Sequence, residues 1–255
     1  MTACVVYLVL ASLLHAEFDH RNMNKLYYGF LIGIYGFFGM ISSLVNHLFI
    51  RLIGRSKQLY LGIILMSTFI CLLGFITYIE NNTIMIATGM VIRAAQGFFR
   101  MWTAAPSRSI VTILHPEDRV RYMGYFQGAM NVGVAIGPIV GSVLYKLVGF
   151  TYLFIILGLI HFCYVPIMIL FMPENIDSND QATDRLNNAE SNINTEEVPK
   201  ISMGKLLSNR IVLISTVGVV LACMANTFYE PVLSFRVAEF SDSIFIQSLL
   251  FALFV

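Results

Sequence analysis

Charge is what this chain has least of. Asp, Glu, Lys and Arg together make up 12% of its 255 residues, roughly half the share of a soluble domain. Acids are rarer still where the sequence is apolar, for Glu230 is the one carboxylate inside a long hydrophobic run. No two carboxylates are placed for acid and base work, and G-x-S-x-G, H-E-x-x-H and G-x-x-x-x-G-K-[ST] are all missing. This argues against an enzyme and against direct use of ATP. A formal net charge of +1, without basic or acidic blocks, offers nucleic acid nothing to hold. Cysteine is thin as well. Cys4, Cys71, Cys163 and Cys223 sit in apolar runs, without the C-x-x-C spacing of a metal site or the loop placement of a disulfide framework, and read as buried inert thiols. Neither a metal nor a cofactor is called for.

Hydrocarbon fills the space that charge leaves. Hydrophobic residues make up 57% of the chain and the mean hydropathy is +0.75. They gather in runs near the length, about 20 residues, that crosses roughly 30 Å of bilayer core as helix. The first, 3–14, is short and has neither the basic n-region nor the small-residue cleavage site of a secretory signal, so it reads as the end of a longer helix. Runs 27–49, 59–79, 84–114, 122–147 and 152–172 follow, joined by short loops. Residues 173–208 then change abruptly to Asn, Asp, Glu and Ser, a composition that cannot bury enough surface to order itself and reads as a flexible hydrophilic linker. A seventh run covers 210–235, and an eighth, from 244, stops in the middle of SLLFALFV. Further spans are expected beyond it. The expected fold is all-α and polytopic: an N-terminal six-helix bundle over 1–172 with a shortened first span, the linker 173–208, and the start of a second bundle over 209–255.

Lysine and arginine in the loops set the orientation, because cytoplasmic loops are enriched in them. Alternate loops put Arg51, Arg55, Lys57, Arg119, Arg121, Arg185, Lys200, Lys205 and Arg210 on one side, and the smaller set Arg21, Lys25, Lys146 and Arg236 on the other. The first side is expected inside, which makes the linker cytoplasmic and leaves the sequon Asn81-Asn82-Thr83 outside or lumenal, where glycosylation could occur.

Within the runs, residues 128–142, GAMNVGVAIGPIVGS, place Gly128, Gly133, Gly137, Gly141 and Pro138 where a soluble helix would not tolerate them. In lipid, glycines at four-residue spacing let helices press backbone to backbone. Arg93, Arg100 and Arg108 are seven and eight residues apart, within about 80° of one another around a helix. A charge near the bilayer centre costs at least about 2.5 to 3.5 kcal/mol on insertion scales, so it faces a bundle interior or an aqueous cavity. Arg93, near the midplane, is either a charge partner in substrate or proton coupling or a structural arginine bonded to carbonyls between helices. Arg100 is open to both readings, and Arg108, near the cytoplasmic end, snorkels. Glu230 precedes the helix-breaking Pro231 and is either a proton or cation site or an interfacial carboxylate. Asn131 and Asn226 line a cavity or bond a neighbouring helix. His161 reads as a structural histidine and His47 needs no special role.

Six runs, a linker and then more runs is the layout of a transporter built from two six-helix halves. Four segments, in order, resemble the major facilitator superfamily. Residues 50–62, IRLIGRSKQLYLG, resemble its loop pattern ending in D-R-x-G-R-R/K, where Gly54 and Arg55 match but Arg51 stands in place of the usual aspartate. Arg93, Gln96 and Gly97 match the fourth-span R-x-x-Q-G, residues 133–141 resemble the fifth-span glycine motif with G-P, and Phe171-Met172-Pro173-Glu174 is similar to the L-P-E closing the sixth span. GFLIGIYGFFG, GSVLYKLVGF and FYEPVLSFRVAEF further resemble the vesicular amine transporters and their polyamine-transporting relatives. The resemblance implies a secondary transporter that exchanges protons for a small organic cation across a lipid bilayer. Arg93, Gln96, Arg100, Asn131 and Glu230 would then be substrate or coupling residues, and Gly54, Arg55, Gly133, Gly137, Pro138 and Gly141 the conformational motifs. The first run lacks the acidic residue expected of the amine branch, and the arginines favour an anion. Organic anion transport or drug efflux by the same mechanism is the alternative, and a non-transporting fragment or membrane interaction protein is another.

Overall fold

A computed structural model describes residues 24–172 continuously, with Val6, Val9, Leu10, Leu13, Leu14, Arg21 and scattered positions beyond 172. Among the described residues the elements are five α-helices and one 3-10 turn, with no strand. The helices are α1 (Lys25–Ile53), α2 (Arg55–Gly74) with the 3-10 turn Phe75–Tyr78, α3 (Asn82–Leu114), α4 (Arg119–Phe162) and α5 (Tyr164–Phe171). Backbone contacts group Met1–Met172 with Pro231–Val255 and set Pro173–Glu230 apart. All five helices belong to the first group.

Local chemistry sets the helix limits. Asn24 caps α1 by accepting from the Leu26 amide at 3.0 Å, and Asn81, the sequon asparagine, caps α3 by accepting from Thr83 at 2.9 Å and Ile84 at 3.4 Å. Gly54 alone separates α1 from α2. Its φ of 89° and ψ of 158° suit a residue without Cβ, and its N–H returns to the Ile50 carbonyl at 3.0 Å. Gly149 does the same inside α4, with φ 78° and ψ 176°. A 44-residue helix would be about 66 Å long; the break at Gly149 divides it into two helical segments, so the loop expected between 147 and 152 shrinks to one residue.

Contacts fix the directions. Going along α1 from Leu31 to Phe49, its partners on α3 advance from Arg93 to Trp102, so these helices are parallel. Along α2 the partners on α3 run backwards, from Trp102 at Gly62 through Gln96 at Phe69 to Gly89 at Ile76. The segment after Gly149 is antiparallel to α2, with Thr151 opposite Thr77, Ile155 opposite Cys71 and Gly158 opposite Ser67. Gly54 and the 115–118 loop therefore share one end. Residues 79–81 share the other with Arg21, which donates to the carbonyls of Ile79 at 2.9 Å and Thr77 at 2.6 Å.

The surface identifies the solvent. Leu26, Phe30, Phe37, Met40, Leu44, Leu48 and Leu52 are exposed along α1, Leu52 to 80%. A continuous exposed apolar stripe of this kind belongs in hydrocarbon. Leu26–Ile53, Arg55–Tyr78 and Arg119–Phe171 are each long and apolar enough to span a membrane. α3 is not among them, although at 33 residues it is long enough. It holds Arg93, Arg100 and Arg108, and it lies against both α1 and α2.

Val6, Val9, Leu10, Leu13 and Leu14 from the first run are buried with Tyr28, Leu31, Ile70, Leu73, Phe150 and Phe154 in one apolar core. Gly133, Gly137, Pro138 and Gly141 are buried as well. A Cβ on Gly141 would come within 2.6 Å of Val9 Cγ2, so this glycine lets the fifth run close on the first. Gly128 does not share that face: it is exposed, with open space around it. Gly141→Val is expected to lower unfolding stability in detergent by about 2 kcal/mol, and Gly128→Ala to change it by less than about 0.5 kcal/mol. Thermal unfolding of the two variants checks the contrast.

Candidate functional site

Three residues of α3 converge where α1, α2 and α3 meet. Arg93 is 1% exposed. Its Nε donates to the Leu31 carbonyl of α1 at 3.3 Å and one terminal nitrogen to Gln96 Oε1 at 3.0 Å. Gln96, fully buried, passes the connection on, its Nε2 donating to the Phe69 carbonyl of α2 at 3.0 Å. Gly97 completes the junction. A Cβ there would collide with the Tyr35 carbonyl, and Gly39 of α1 faces the Gly97 carbonyl across the same contact. The R-x-x-Q-G spacing thus puts a cation, an amide and a bare backbone side by side on one face of α3, each answering a main chain on another helix.

The buried Tyr35 ring receives two cations. The Arg93 guanidinium carbon lies 4.3 Å from its centroid and that of Arg100 5.6 Å. Both distances allow cation–π attraction, which strengthens away from water. Arg100 is half-buried and Arg108 exposed. The basic stripe is therefore graded along α3 from sealed to open, and only its first two members meet at Tyr35.

Other expected site residues lie elsewhere. Asn131 is exposed on α4 and accepts from Gln127 Nε2 at 3.1 Å within its own helix, so among the described contacts it neither joins the Arg93 junction nor bridges helices. Arg55 is half-buried beside the Gly54 turn. His161 is buried at 5% exposure. His47 is exposed, its Nδ1 3.1 Å from the Leu44 carbonyl. Cys71 is half-buried, but Cys163 is exposed at the start of α5 and so is not the buried thiol expected of it. Glu230, Asn226, Cys4 and Cys223 lie outside the described residues.

Three features went unread in the sequence. Tyr35 was part of GFLIGIYGFFG without a role of its own, although an aromatic hydroxyl among glycines is a usable signal. Arg21 was a loop charge and is a clamp on the 77–79 carbonyls. Asn46 and Gln58, on either side of the Gly54 turn, form a buried pair in which Gln58 Nε2 donates to Asn46 Oδ1 at 2.6 Å. Asn46→Leu should cost about 2 kcal/mol by leaving the Gln58 amide unpaired, and the double variant Asn46→Leu with Gln58→Met should recover most of it. A double-mutant thermal cycle measures the coupling.

The model of the Major Facilitator Superfamily matches residues 1–255. The MFS-type transporter SLC18B1 of Mus musculus is 26% identical over 178 residues, 69% of this chain and 38% of that protein. Its Rattus norvegicus counterpart is 26% identical over 171 residues, covering 66% and 37%. The Homo sapiens counterpart is 22% identical over 167 residues, covering 66% and 37%. The aligned part of the chain thus spans less than two fifths of the relatives it matches. No solved structure matches the chain.

Proposed function

The chain belongs to the Major Facilitator Superfamily, a family of multi-pass membrane transporters rather than enzymes, and from that premise we propose that it serves secondary active transport of a small organic solute. In this reading 1–172 is one six-helix bundle, 173–208 a cytoplasmic linker and 209–255 the start of the second bundle. The two bundles rock about a site near the midplane. Protons move one way and solute the other.

The observation that supports this most is Arg93. A guanidinium sealed to 1% exposure inside an apolar bundle is costly, and among its contacts are the Leu31 carbonyl and the Gln96 amide oxygen. A cation at that depth can respond to another charge in transit. Gln96 orients it, Arg100 extends the field towards the Gly54 end, and Glu230 supplies the proton-linked carboxyl. By resemblance to the vesicular amine branch the solute is an organic cation. Two guanidiniums around Tyr35 favour an organic anion as the second reading.

The test uses proteoliposomes of the full-length protein with amines, polyamines, sugars and organic anions, with and without an imposed pH gradient. Uptake of one class that rises with the gradient supports proton-coupled exchange. Uptake indifferent to the gradient removes the proton, and uptake of none removes transport.

A further inference from the structure

We propose that the end of the bundle carrying Gly54 is a docking surface for anionic phospholipid headgroups, formed by Arg51, Lys57, Arg108, Arg119 and Arg121. The helix directions established above bring these residues to one end: Arg51 in the last turn of α1, Lys57 in the first turn of α2, Arg108 towards the close of α3, and Arg119 and Arg121 opening α4. All five are exposed. Among the described residues the acids at this end are Glu117 and Asp118, so positive charge prevails.

Helix polarity adds to it. An N-terminus carries about half a positive charge and is favoured by acids, not by lysine or arginine. α2 starts at Gly54 without a side-chain cap or an acid in its first turn, and α4 starts at Asp118 without a cap bond and again without an acid in its first turn. α2 instead places Arg55 and Lys57 there, and in α4 Arg119 and Arg121 follow directly on the Asp118 cap. Arg51 completes the pattern, standing where the resembled loop motif has an aspartate that would have offset its neighbours.

A bilayer surface resolves the excess. Anionic headgroups attract juxtamembrane basic residues within a Debye length, and these five sit where apolar helices leave the hydrocarbon. The α3–α4 corner is also ordered for that boundary. His115 and Tyr122 stack at 3.6 Å between centroids, Tyr125 meets Tyr122 edge-on at 6.1 Å, and Arg121 Nε donates to the Tyr125 hydroxyl at 3.1 Å. Aromatic rings of this kind sit at headgroup level, and Arg121 is held there with them. The opposite end carries fewer cations and no such aromatic corner among the described residues: Lys25 opens α1 there, with Glu80, the exposed Lys146 and Arg21, whose guanidinium is engaged by two carbonyls.

The experiment is native mass spectrometry of the chain released from nanodiscs of equal phosphatidylcholine and phosphatidylserine. The wild type is expected to retain phosphatidylserine with about tenfold enrichment. The combined variant Arg51→Gln, Lys57→Gln, Arg119→Gln and Arg121→Gln should bring the ratio close to one. Arg51→Lys with Arg119→Lys and Arg121→Lys, which keeps charge, should retain the enrichment, as should Lys146→Gln at the other end. Unchanged enrichment in the neutralised variant, or none in the wild type, overturns the proposal. So does enrichment abolished by millimolar inorganic phosphate, which would make a soluble anion the ligand. Should the neutralised variant fail to fold, the wild type decides: about 0.5 M NaCl must erase the enrichment, and persistence in that salt overturns the proposal equally.

Discussion

Arg93→Gln is expected to lower solute uptake by the full-length protein at least about tenfold, while insertion stays near that of the wild type and thermal stability falls far less. The two effects separate because different forces govern them. Losing the bonds to Leu31 and Gln96 costs about 1.5 to 3 kcal/mol for each bond to a charged group. Removing a charge from the bilayer interior returns about 2.5 to 3.5 kcal/mol on insertion scales. Together the two bonds cost about 3 to 6 kcal/mol, so the returned desolvation cost offsets at least about half of the loss and stability falls far less than uptake. Transport, which in this account needs the charge, has no such offset. Arg93→Lys sharpens the comparison: the charge stays, but an ammonium lacks the planar fork that serves a carbonyl and an amide together. Its uptake should fall as well. Wild-type uptake in both variants, with reduced stability, would make Arg93 a structural tie and nothing more.

Gly97→Val should destabilise the bundle by about 3 kcal/mol, the largest packing effect expected of any single substitution here. A Cβ at 97 points into the Tyr35 main chain, which cannot move aside as a flexible side chain would. α1 and α3 must separate, and Arg93 loses its bond to the Leu31 carbonyl of α1. The readout is the melting temperature of the purified chain. Gly36→Val, on the same helix as Tyr35 but with open space at its Cβ, should change it by less than about 1 kcal/mol and serves as the control. Equal melting temperatures in the two variants would refute the close α1–α3 approach.

How much of this was legible follows from what hydropathy measures. It reports the solvent, so the runs at 27–49, 59–79 and 122–147 led directly to α1, α2 and the first part of α4, and charge in the loops gave the alternation of ends. Spacing reported faces, so Gly133, Gly137 and Gly141 were placed together on a packing surface. Gly128 breaks the four-residue period and was wrongly included, because composition gives no partner for each face. The Arg93, Gln96 and Gly97 motif was found by resemblance, yet its role was not, since two of its bonds go to the carbonyls of Leu31 and Phe69 and a carbonyl has no sequence signature. Asn131 does not show the bond to a neighbouring helix for a related reason: its described partner is Gln127, one turn earlier. The break between 147 and 152 was read from hydropathy, but not its reduction to the single residue Gly149, because a one-residue reversal leaves no loop composition to read.

α3 is the helix on which the account turns, because it is the least apolar of the long helices and holds the buried arginine. Cysteine labelling in a background without native cysteines tests it directly. Asn82→Cys at its start, Val91→Cys on its exposed flank and Leu114→Cys at its end are treated with a membrane-impermeant thiol reagent from each side of sealed vesicles. The account predicts labelling of position 82 from one side only, of position 114 from the other only, and of position 91 from neither. Labelling of 82 and 114 from the same side would show that α3 does not cross the bilayer, and labelling of 91 would place its exposed flank in water rather than lipid; either would contradict it.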